Sequence, residues 1–423
     1  MSFVIKNATV VSPADGCSGR MDIKIENGKI AAVGENLSGD TEINAEGLYA
    51  IPGLVDMHVH LRDPGQTAKE DILTGCCAAA AGGVTSLLAM PNTNPTIDCG
   101  EVVRYVREKA KDAKARVYVA ASITKGLQSK EPTDLAELKE AGAVGLSDDG
   151  RPVVNTAFLR SAMKRAPQYG MTVVAHCEDL FLAEGGKINE GEISAQLGVK
   201  GIPAAAEDCG TAREIALAAA EDVPIHICHV STATSVALIR DAKRRGVKVT
   251  AETAPHYFSL TEKELLRRDA DYRMNPPLRT EKDVQAIIEG LRDGTLDAIA
   301  TDHAPHTPAE KADFEKAPNG SVGMESSLAV GITYLVKTGI LTFDELVEKM
   351  SVNPARILGI DAGTLRVGAN ADIALVDLNE EWTVDPDKLH GKSKNTPFKG
   401  MTLTGKVVKT FLGGEVVFDE ALN

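Results

Sequence analysis

Residues 54–60, which read LVDMHVH, decide the predicted fold because they form a short apolar run that ends in two histidines. A run of this length and composition is typical of a buried strand in a parallel sheet. Alternate residues of a strand point to the same side, so His58 and His60 are expected to share one side and to bind one metal ion together. The stretch therefore predicts a strand with a metal-binding end.

Seven further apolar runs follow, separated by Ala-, Glu- and Lys-rich stretches with helical spacing. This alternation is typical of repeated βα units, and eight units in succession favour a closed (β/α)8 barrel over an open sheet. The predicted strands are Leu54–Val59, Thr85–Met90, Arg116–Ala121, Val144–Leu146, Thr172–Ala175, Pro224–Cys228, Lys248–Thr253 and Ala298–Thr301.

Both ends of the chain have another pattern, with short alternating strands and Gly-containing turns. We therefore predict an α/β protein in which residues 1–52 and 363–423 form a small β-sandwich domain and residues 53–362 form the barrel. Two polar segments that contain glycine, Leu180–Ala205 and Thr307–Gly323, are predicted as loops over the active-site face.

Composition excludes several classes of partner. The net charge of −14 argues against a protein that binds nucleic acid or anionic membranes, since such binding needs clustered Lys and Arg. The sequence contains no apolar run of about 18 residues and no signal peptide pattern at its start. Seven irregularly spaced cysteines fit reduced thiols. These features predict a cytoplasmic protein that acts on a small molecule.

Metal-binding residue types follow several of the predicted strands, at the end of a barrel where active sites lie. The fourth strand is followed by Asp148 and Asp149, and either carboxylate is chemically able to bind a metal. Imidazole and carboxylate ligands favour zinc over other divalent ions. The other candidates at strand ends are His58, His60, His176, His229 and Asp302.

Three motifs resemble those of the amidohydrolase superfamily and, more narrowly, of the bacterial type I dihydroorotases. They are GLVDMHVHLRDPG at residues 53–65, AMPNTNP at residues 89–95 and TDHAPH at residues 301–306. The resemblance covers nearly the whole chain. It implies one or two zinc ions per subunit, with Asp149 as the bridging ligand. The implied ligands are His58, His60 and Asp302 for one ion, and His176 and His229 for the other.

The resemblance also implies a reaction, the reversible hydrolysis of the cyclic amide of dihydroorotate to N-carbamoyl-L-aspartate in pyrimidine biosynthesis. Zinc lowers the pKa of water from about 16 to about 7. Asp302 is then expected to act as the general base and acid. Arg62 is a suitable cation for the substrate carboxylate, and Asn92 a suitable neutral donor. The predicted substrate contacts are His60, Arg62, Asn92, Asn275, His306, Asn319 and Gly320.

Two alternatives belong to other functional classes. Hydantoinases and allantoinases resemble the chain in the barrel but use a carboxylated lysine as the bridge, and residues 146–150 contain no lysine. A non-catalytic scaffold that supports aspartate carbamoyltransferase would be expected to lose metal ligands, and every expected position here is occupied. The family implies a homodimer, and some members associate with aspartate carbamoyltransferase. In the family an aromatic residue commonly stands where this chain has Asn319.

Overall fold

The computed structural model describes residues 2–422 and contains two large sheets and one small one. In chain order the strands are β1 (Ser2–Ser12), β2 (Cys17–Glu26), β3 (Lys29–Gly34), β4 (Thr41–Asn44), β5 (Tyr49–Pro52), β6 (Leu54–Val59), β7 (Val84–Ala89), β8 (Arg116–Ala121), β9 (Gly145–Leu146), β10 (Thr172–Ala175), β11 (Ile188–Asn189), β12 (Gly201–Ile202), β13 (Ile225–Ile227), β14 (Val249–Thr253), β15 (Ala298–Ile299), β16 (Ile373–Thr383), β17 (Thr402–Leu412) and β18 (Glu415–Asp419).

Helices cover the parallel sheet. The α-helices are α1 (Ile72–Ala81), α2 (Gly100–Lys109), α3 (Leu135–Ala141), α4 (Thr156–Arg165), α5 (Leu180–Ala183), α6 (Glu192–Leu197), α7 (Ala204–Glu221), α8 (Ala233–Arg244), α9 (Pro255–Ser259), α10 (Glu281–Arg292), α11 (Pro308–Lys311), α12 (Met324–Gly331), α13 (Phe343–Val347) and α14 (Asn353–Leu358).

The parallel sheet is a nearly closed barrel with strand order β6-β7-β8-β9-β10-β13-β14-β15. Its two ends meet just beyond β15, where the backbone N–H of His60 donates to the carbonyl of His303 at 2.8 Å. Each of the eight strands overlaps the run predicted for it, although β9, β13, β14 and β15 are shorter than predicted. The (β/α)8 prediction is therefore confirmed, and the carboxyl ends of these strands form one rim.

A separate sheet combines strands from both ends of the chain, in the order β18-β17-β16-β5-β1-β2-β3, with β4 paired to β1. It has its own apolar core, which contains Ile5, Ile23 and Phe411. The chain passes from this sheet into the barrel between β5 and β6 and returns to it at β16. We propose residues 1–52 and 363–423 as one domain and residues 53–362 as the other.

The two predicted loops differ in structure. The segment Leu180–Ala205 is not a plain loop, because it contains α5, α6 and the small parallel sheet of β11 and β12. These elements have only two to six residues each, which is too short to show a period in the sequence. The segment Thr307–Gly323 is irregular apart from α11.

Among residues 2–422, no helix combines the length and the apolar character that a membrane crossing requires. The seven cysteines all have free thiols.

Candidate metal centre and active site

The histidines and aspartates at the strand ends meet at one point of the barrel rim. His58 lies in β6, Asp149 follows β9, and His176 directly follows β10. All of the side chains in this group are buried, with 0–7% of their surface exposed. The complete group consists of His58, His60, Asp149, His176, His229 and Asp302.

Three residues of this rim have a left-handed backbone although none is glycine. The φ angles are 62° for Arg62, 36° for His229 and 48° for Asp302. Such conformations cost on the order of 1–3 kcal/mol for a residue with a side chain, and they persist where the surrounding structure imposes them. Strain of this kind is typical of functional sites, where side chains must point in one direction.

Asp149 lies at the centre of the group. Its Oδ1 is 3.3 Å from His58 Nε2, 3.6 Å from His176 Nδ1 and 3.7 Å from His229 Nε2, and its Oδ2 is 3.5 Å from His60 Nε2. Two sets of potential metal ligands share this residue, one with His58 and His60 and one with His176 and His229. Within each set the ligand atoms lie within 4.8 Å of one another. This arrangement is the one expected of a bridging carboxylate.

The geometry fits a metal better than a hydrogen-bonded cluster. His58 Nε2 and Asp149 Oδ1 are buried and face each other, but neither makes a hydrogen bond. Leaving such atoms unpaired costs about 1–3 kcal/mol each. His176 Nδ1 and His229 Nε2 are also only 2.8 Å apart. A divalent cation would supply the partner that these nitrogen and oxygen lone pairs lack, so the residues fit a metal ion.

The two carboxylates of the centre are ionised. Burial alone would raise the pKa of Asp149, but the charge of His58 and contacts with His176 and His229 hold it well below its usual range. Burial likewise opposes ionisation of Asp302, yet the hydrogen bond with His60 and the charge of His58 lower its pKa to about 2. Both groups are therefore available as anionic ligands at neutral pH.

Asp148 and Asp149 are neighbours in sequence but lie in different surroundings. The Asp148 carboxylate accepts hydrogen bonds from the backbone N–H groups of Ile123 (2.7 Å) and Thr124 (3.1 Å) and from the Thr124 hydroxyl. It anchors the turn after β8, and only Asp149 faces the histidines. The sequence alone left both residues as candidates.

A buried glutamate that sequence analysis missed supports His58 from below. Glu252 Oε1 lies 3.1 Å from His58 Nδ1, and its Oε2 lies 3.2 Å from His226 Nε2. His226 Nδ1 in turn meets the Thr250 hydroxyl at 2.9 Å. His226 and Thr250 are paired across β13 and β14, and Glu252 is two residues further along the same face. Polar residues at alternate positions of two apolar strands were the available signal.

The substrate contacts predicted from the sequence line a cavity of about 250 Å³ beside the metal-binding group. Three asparagine amides and one guanidinium are among the side chains that line it. The lining includes His60, Arg62, Asn92, Asn275, His306, Asn319 and Gly320, together with Asp149, His176, His229 and Asp302. His58 is absent from this lining because it lies deeper in the barrel.

Arg62 is buried at one wall of the cavity, with 7% of its surface exposed. Its Nε donates to the carbonyl of Pro305 at 3.2 Å, and its Nη2 lies 3.4 Å from His306 Nε2. Burial lowers the pKa of Arg62 to about 10, so it stays cationic at neutral pH. Burial and the charge of Arg62 lower the pKa of His306 to about 3, which makes His306 neutral.

Two amides of the cavity have different partners. Asn92 Oδ1 accepts from His60 Nδ1 at 2.8 Å, which leaves His60 Nε2 facing Asp149 and Asp302. Asn275 Nδ2 donates to the carboxylate of Glu178, and its Oδ1 is buried without a hydrogen-bond partner. Asn92 is thus placed to orient His60, and it also lines the cavity.

Asn395 was missed because it comes from the far end of the chain. Its Oδ1 accepts from the backbone N–H of His306 at 3.1 Å, and its Nδ2 donates to the carbonyl of Gly320 at 3.1 Å. It therefore fixes the two ends of the loop that closes the cavity. Asn319, where the family commonly has an aromatic residue, accepts from His306 through its backbone carbonyl at 2.9 Å and from Arg273 through its side chain at 3.1 Å.

A larger groove of about 820 Å³ lies between α12 and the sheet that contains β16 and β17. Several of its charged side chains are paired with each other, as in Lys406–Glu420 at 2.6 Å and His390–Glu325 at 2.8 Å. None of the potential metal-ligand groups found among residues 2–422 lines this groove, so the smaller cavity at the rim is the candidate active site.

Comparison with known proteins agrees with this geometry. Residues 49–417 match the amidohydrolase family. The chain is 52% identical to a dihydroorotase of Acetivibrio thermocellus, over 99% of each chain. It is 50% identical to a dihydroorotase of Geobacter metallireducens, over 99% of this chain and all of the relative. The chain belongs to the dihydroorotases of the amidohydrolase superfamily.

Solved structures agree at the level of the fold. The L-hydantoinase (dihydropyrimidinase) of Arthrobacter aurescens superposes with a TM-score of 0.88 at 26% identity, covering 99% of this chain and 96% of that one. The dihydropyrimidinase of Brevibacillus agri gives 0.87 at 27% identity, with 99% and 95% covered. Membership of the dihydroorotase family indicates that the chain is a hydrolase of cyclic amides. The groups of histidine and aspartate side chains at the barrel rim indicate a metal cofactor.

Proposed function

We propose that the chain catalyses the reversible hydrolysis of dihydroorotate to N-carbamoyl-L-aspartate, a step of pyrimidine biosynthesis. One observation carries the choice of substrate: a buried guanidinium, that of Arg62, lines the same 250 Å³ cavity as the metal-binding group. Dihydroorotate has a carboxylate in addition to its cyclic amide. That carboxylate would give the buried cation a charge partner, which a plain cyclic amide lacks.

The cofactor we propose is zinc, because the donors are imidazoles and carboxylates. When bound, zinc lowers the pKa of water from about 16 to about 7 and polarises the amide carbonyl. The geometry supports two positions that share Asp149. We assign His58, His60 and Asp302 to the first position, and His176 and His229 to the second.

We assign Asp302 as the catalytic acid and base. It lines the cavity, its Oδ1 lies 3.1 Å from His60 Nε2, and it is ionised. In the hydrolytic direction it takes the proton of the attacking water and passes it to the departing amide nitrogen. In the direction of ring closure it takes the proton of the ureido nitrogen.

The remaining cavity residues bind and orient the substrate. Arg62 holds the carboxylate, with Asn92 and His306 beside it. Asn275 contacts the ring from another wall, and the backbone at Asn319 and Gly320 closes the cavity. Fixing the substrate in this way supports catalysis because the reacting groups no longer need to find each other.

Activity on three substrates tests the function. We expect purified protein to contain zinc and to open dihydroorotate in preference to hydantoin and allantoin. The hydantoinase-like alternative is supported by the solved structures of similar fold. Activity on hydantoin alone would establish that alternative, and full activity without any divalent metal would rule out the metal mechanism.

The variant Asp302→Ala tests the assigned base. We expect kcat to fall by about 10² to 10⁴, the usual contribution of a general acid–base residue. Asp313→Ala is a matched control, because Asp313 is an exposed aspartate of the loop near the cavity. Unchanged kcat in Asp302→Ala would remove Asp302 from the mechanism.

The assembly is also a proposal. The family resemblance supports a homodimer, with aspartate carbamoyltransferase as a partner in some members, and seven free thiols support a reducing compartment such as the cytoplasm. Analytical ultracentrifugation with and without the carbamoyltransferase would measure both associations.

A further inference from the structure

Glu178 connects the metal-binding group to the substrate cavity. It lies two residues after His176, and its Oε2 is 3.4 Å from His176 Nε2. The same carboxylate accepts from Asn275 Nδ2, at 3.2 Å to Oε1 and 3.4 Å to Oε2. Its side chain is 10% exposed, so both contacts are largely shielded from water. One anion thus contacts a predicted metal ligand and a predicted substrate contact.

The contact with His176 determines which ring nitrogen can bind a metal. A carboxylate beside Nε2 holds the imidazole proton on that nitrogen. The lone pair then remains on Nδ1, which faces Asp149 Oδ1 at 3.6 Å. A neutral group in place of Glu178 would no longer fix this tautomer.

The contact with Asn275 determines which end of the amide faces the cavity. The NH₂ group points to the carboxylate, because the amide oxygen would be repelled by it. Asn275 Oδ1 is therefore turned the other way, and it is buried without a hydrogen-bond partner. An unsatisfied buried acceptor is destabilising, so a bound molecule that offers an N–H group at this point would be favoured.

We propose that Glu178 is a positioning residue that determines specificity: it presents Asn275 as a hydrogen-bond acceptor, so the cavity selects a ring with a free N–H, and it presents His176 Nδ1 to the metal. This inference deepens the proposed function and rests on it. Dihydroorotate has two ring N–H groups, so methylation of the nitrogen that meets Asn275 removes the donor that the site requires.

The test compares wild type with Glu178→Gln, using metal-loaded protein and three substrates: dihydroorotate, its N1-methyl derivative and its N3-methyl derivative. When a site is built to accept a hydrogen bond from an N–H group, kcat/KM for an analogue without that group is lower by about 10⁴. We expect wild type to show a ratio of this size between dihydroorotate and one of the two methyl derivatives. A glutamine side chain can donate or accept, so Asn275 can turn. We expect the discrimination to fall at least tenfold in the variant.

A second measurement follows the contact with His176 and does not depend on turnover. Metal-free protein is titrated with zinc against a competing chelator. We expect Glu178→Gln to bind zinc 10- to 100-fold more weakly than wild type, the usual effect of removing the partner of a histidine ligand. Equal zinc affinity would contradict this half of the inference.

Two further variants make the result specific. Asp179→Asn removes a charge one residue away, at a side chain that caps α5 through the N–H groups of Phe181 and Leu182. We expect it to leave both discrimination and zinc affinity unchanged. Asn275→Ala removes the acceptor itself and should lower discrimination as Glu178→Gln does, with no further loss in the double variant.

The outcomes separate the two proposals. Wild type that does not open dihydroorotate would defeat the proposed function, and the zinc titration would still test Glu178. Wild type that is active while both Glu178→Gln and Asn275→Ala keep the full discrimination would defeat the specificity inference alone. An equal loss of kcat/KM on all three substrates would show a merely structural role and would also overturn it.

Discussion

Two carboxylate–histidine pairs support opposite sides of the centre, and their surroundings differ. In the inner pair, Glu252 contacts His58 at 3.1 Å, and its other oxygen meets the buried His226. In the outer pair, Glu178 contacts His176 at 3.4 Å, and its other contact is with Asn275, which lines the substrate cavity. The inner carboxylate–histidine pair is enclosed in the barrel core, whereas the outer pair contacts a residue that lines the candidate substrate cavity.

The difference indicates a division of tasks. His58, His226 and Glu252 have at most 1% of their surface exposed, so we expect a change there to disturb the packed interior and the proposed metal site together. Glu178 lies nearer the surface, where it can affect binding of the substrate with little effect on folding. We therefore expect variants of the inner pair to change the stability of the protein and variants of the outer pair to change its selectivity for substrates.

The largest effect is expected from the residue that both sides share. Asp149→Ala removes the carboxylate that faces four histidine nitrogens, so it breaks both metal positions at once. We expect kcat/KM for dihydroorotate to fall by at least about 10³, because without bound metal Asp302 has no activated water to deprotonate, so metal assistance and the acid–base step fail together. Zinc content, measured by mass spectrometry on the purified protein, should fall in parallel.

The adjacent aspartate gives the control for Asp149. Asp148→Asn keeps the size of a side chain that bonds the backbone of Ile123 and Thr124 and does not face the histidines. We expect it to lower stability while zinc content stays at the wild-type value. Loss of zinc in Asp148→Asn with retention in Asp149→Ala would reverse the assignment of the bridging ligand.

The inner pair is tested by Glu252→Gln, which keeps the shape and removes the charge. The glutamine amide has one oxygen, so only one of His58 and His226 keeps a hydrogen-bond acceptor. We therefore expect the free energy of unfolding to fall by about 1–3 kcal/mol. Zinc affinity should fall 10- to 100-fold, because His58 loses the group that orients it. Urea unfolding and a zinc titration measure the two effects, and the N-methyl discrimination should remain that of wild type.

Glu70→Gln is the matched control for the inner pair. Glu70 is equally buried and accepts from the backbone of Lys392 at 3.1 Å and from the Thr74 hydroxyl. The histidine beside it, His303 at 3.8 Å, is not one of the proposed metal ligands. We expect a similar loss of stability with no change in zinc affinity. If both glutamine variants lose zinc equally, the effect of Glu252 would be one of general destabilisation, and the contrast between the inner and outer pairs would be lost.

The sequence predicted the barrel and the rim because both depend on local patterns. Eight apolar runs and the residues that follow them are visible without knowledge of distant contacts, and the barrel itself brings His58, His176 and His229 to one side. The supporting residues were harder to predict. Asn395 meets Gly320 across 75 positions of sequence, and Glu178 meets Asn275 across 97. No local period indicates such pairs.

The choice between Asp148 and Asp149 shows another limit of sequence reasoning. The two side chains have the same chemistry and adjacent positions, and the contacts of Asp148 with Ile123 and Thr124 leave Asp149 as the one that faces the histidines. The prediction that residues 180–205 form a loop was wrong for a different reason. The helices and strands of this segment are stabilised by contacts such as Arg279 with Asn189 at 2.8 Å and not by a repeating pattern of their own.

The smallest expected effect concerns the loop at the outer side of the cavity. Lys311 donates to the carbonyls of Arg273 at 3.3 Å and Pro318 at 3.0 Å, and burial lowers its pKa to about 7. The unfolded chain keeps this proton up to a pH of about 10. Between pH 7 and that value the unfolded state binds more protons, so the contribution of Lys311 to stability rises with pH, by at most about 1.4 kcal/mol per unit.

Lys311→Met removes this titration from the outer loop and leaves the inner pair untouched. We expect the free energy of unfolding of wild type, relative to the variant, to increase from pH 7 to pH 9, as measured by urea unfolding at each pH. Lys316→Met is the control, because Lys316 is an exposed lysine of the same loop and its variant should show no such trend. A difference between wild type and Lys311→Met that stays constant with pH would mean that Lys311 is charged throughout this range. Lys311 would then contribute nothing to the pH dependence of stability in this range, because a lysine that keeps its proton in both states adds no slope.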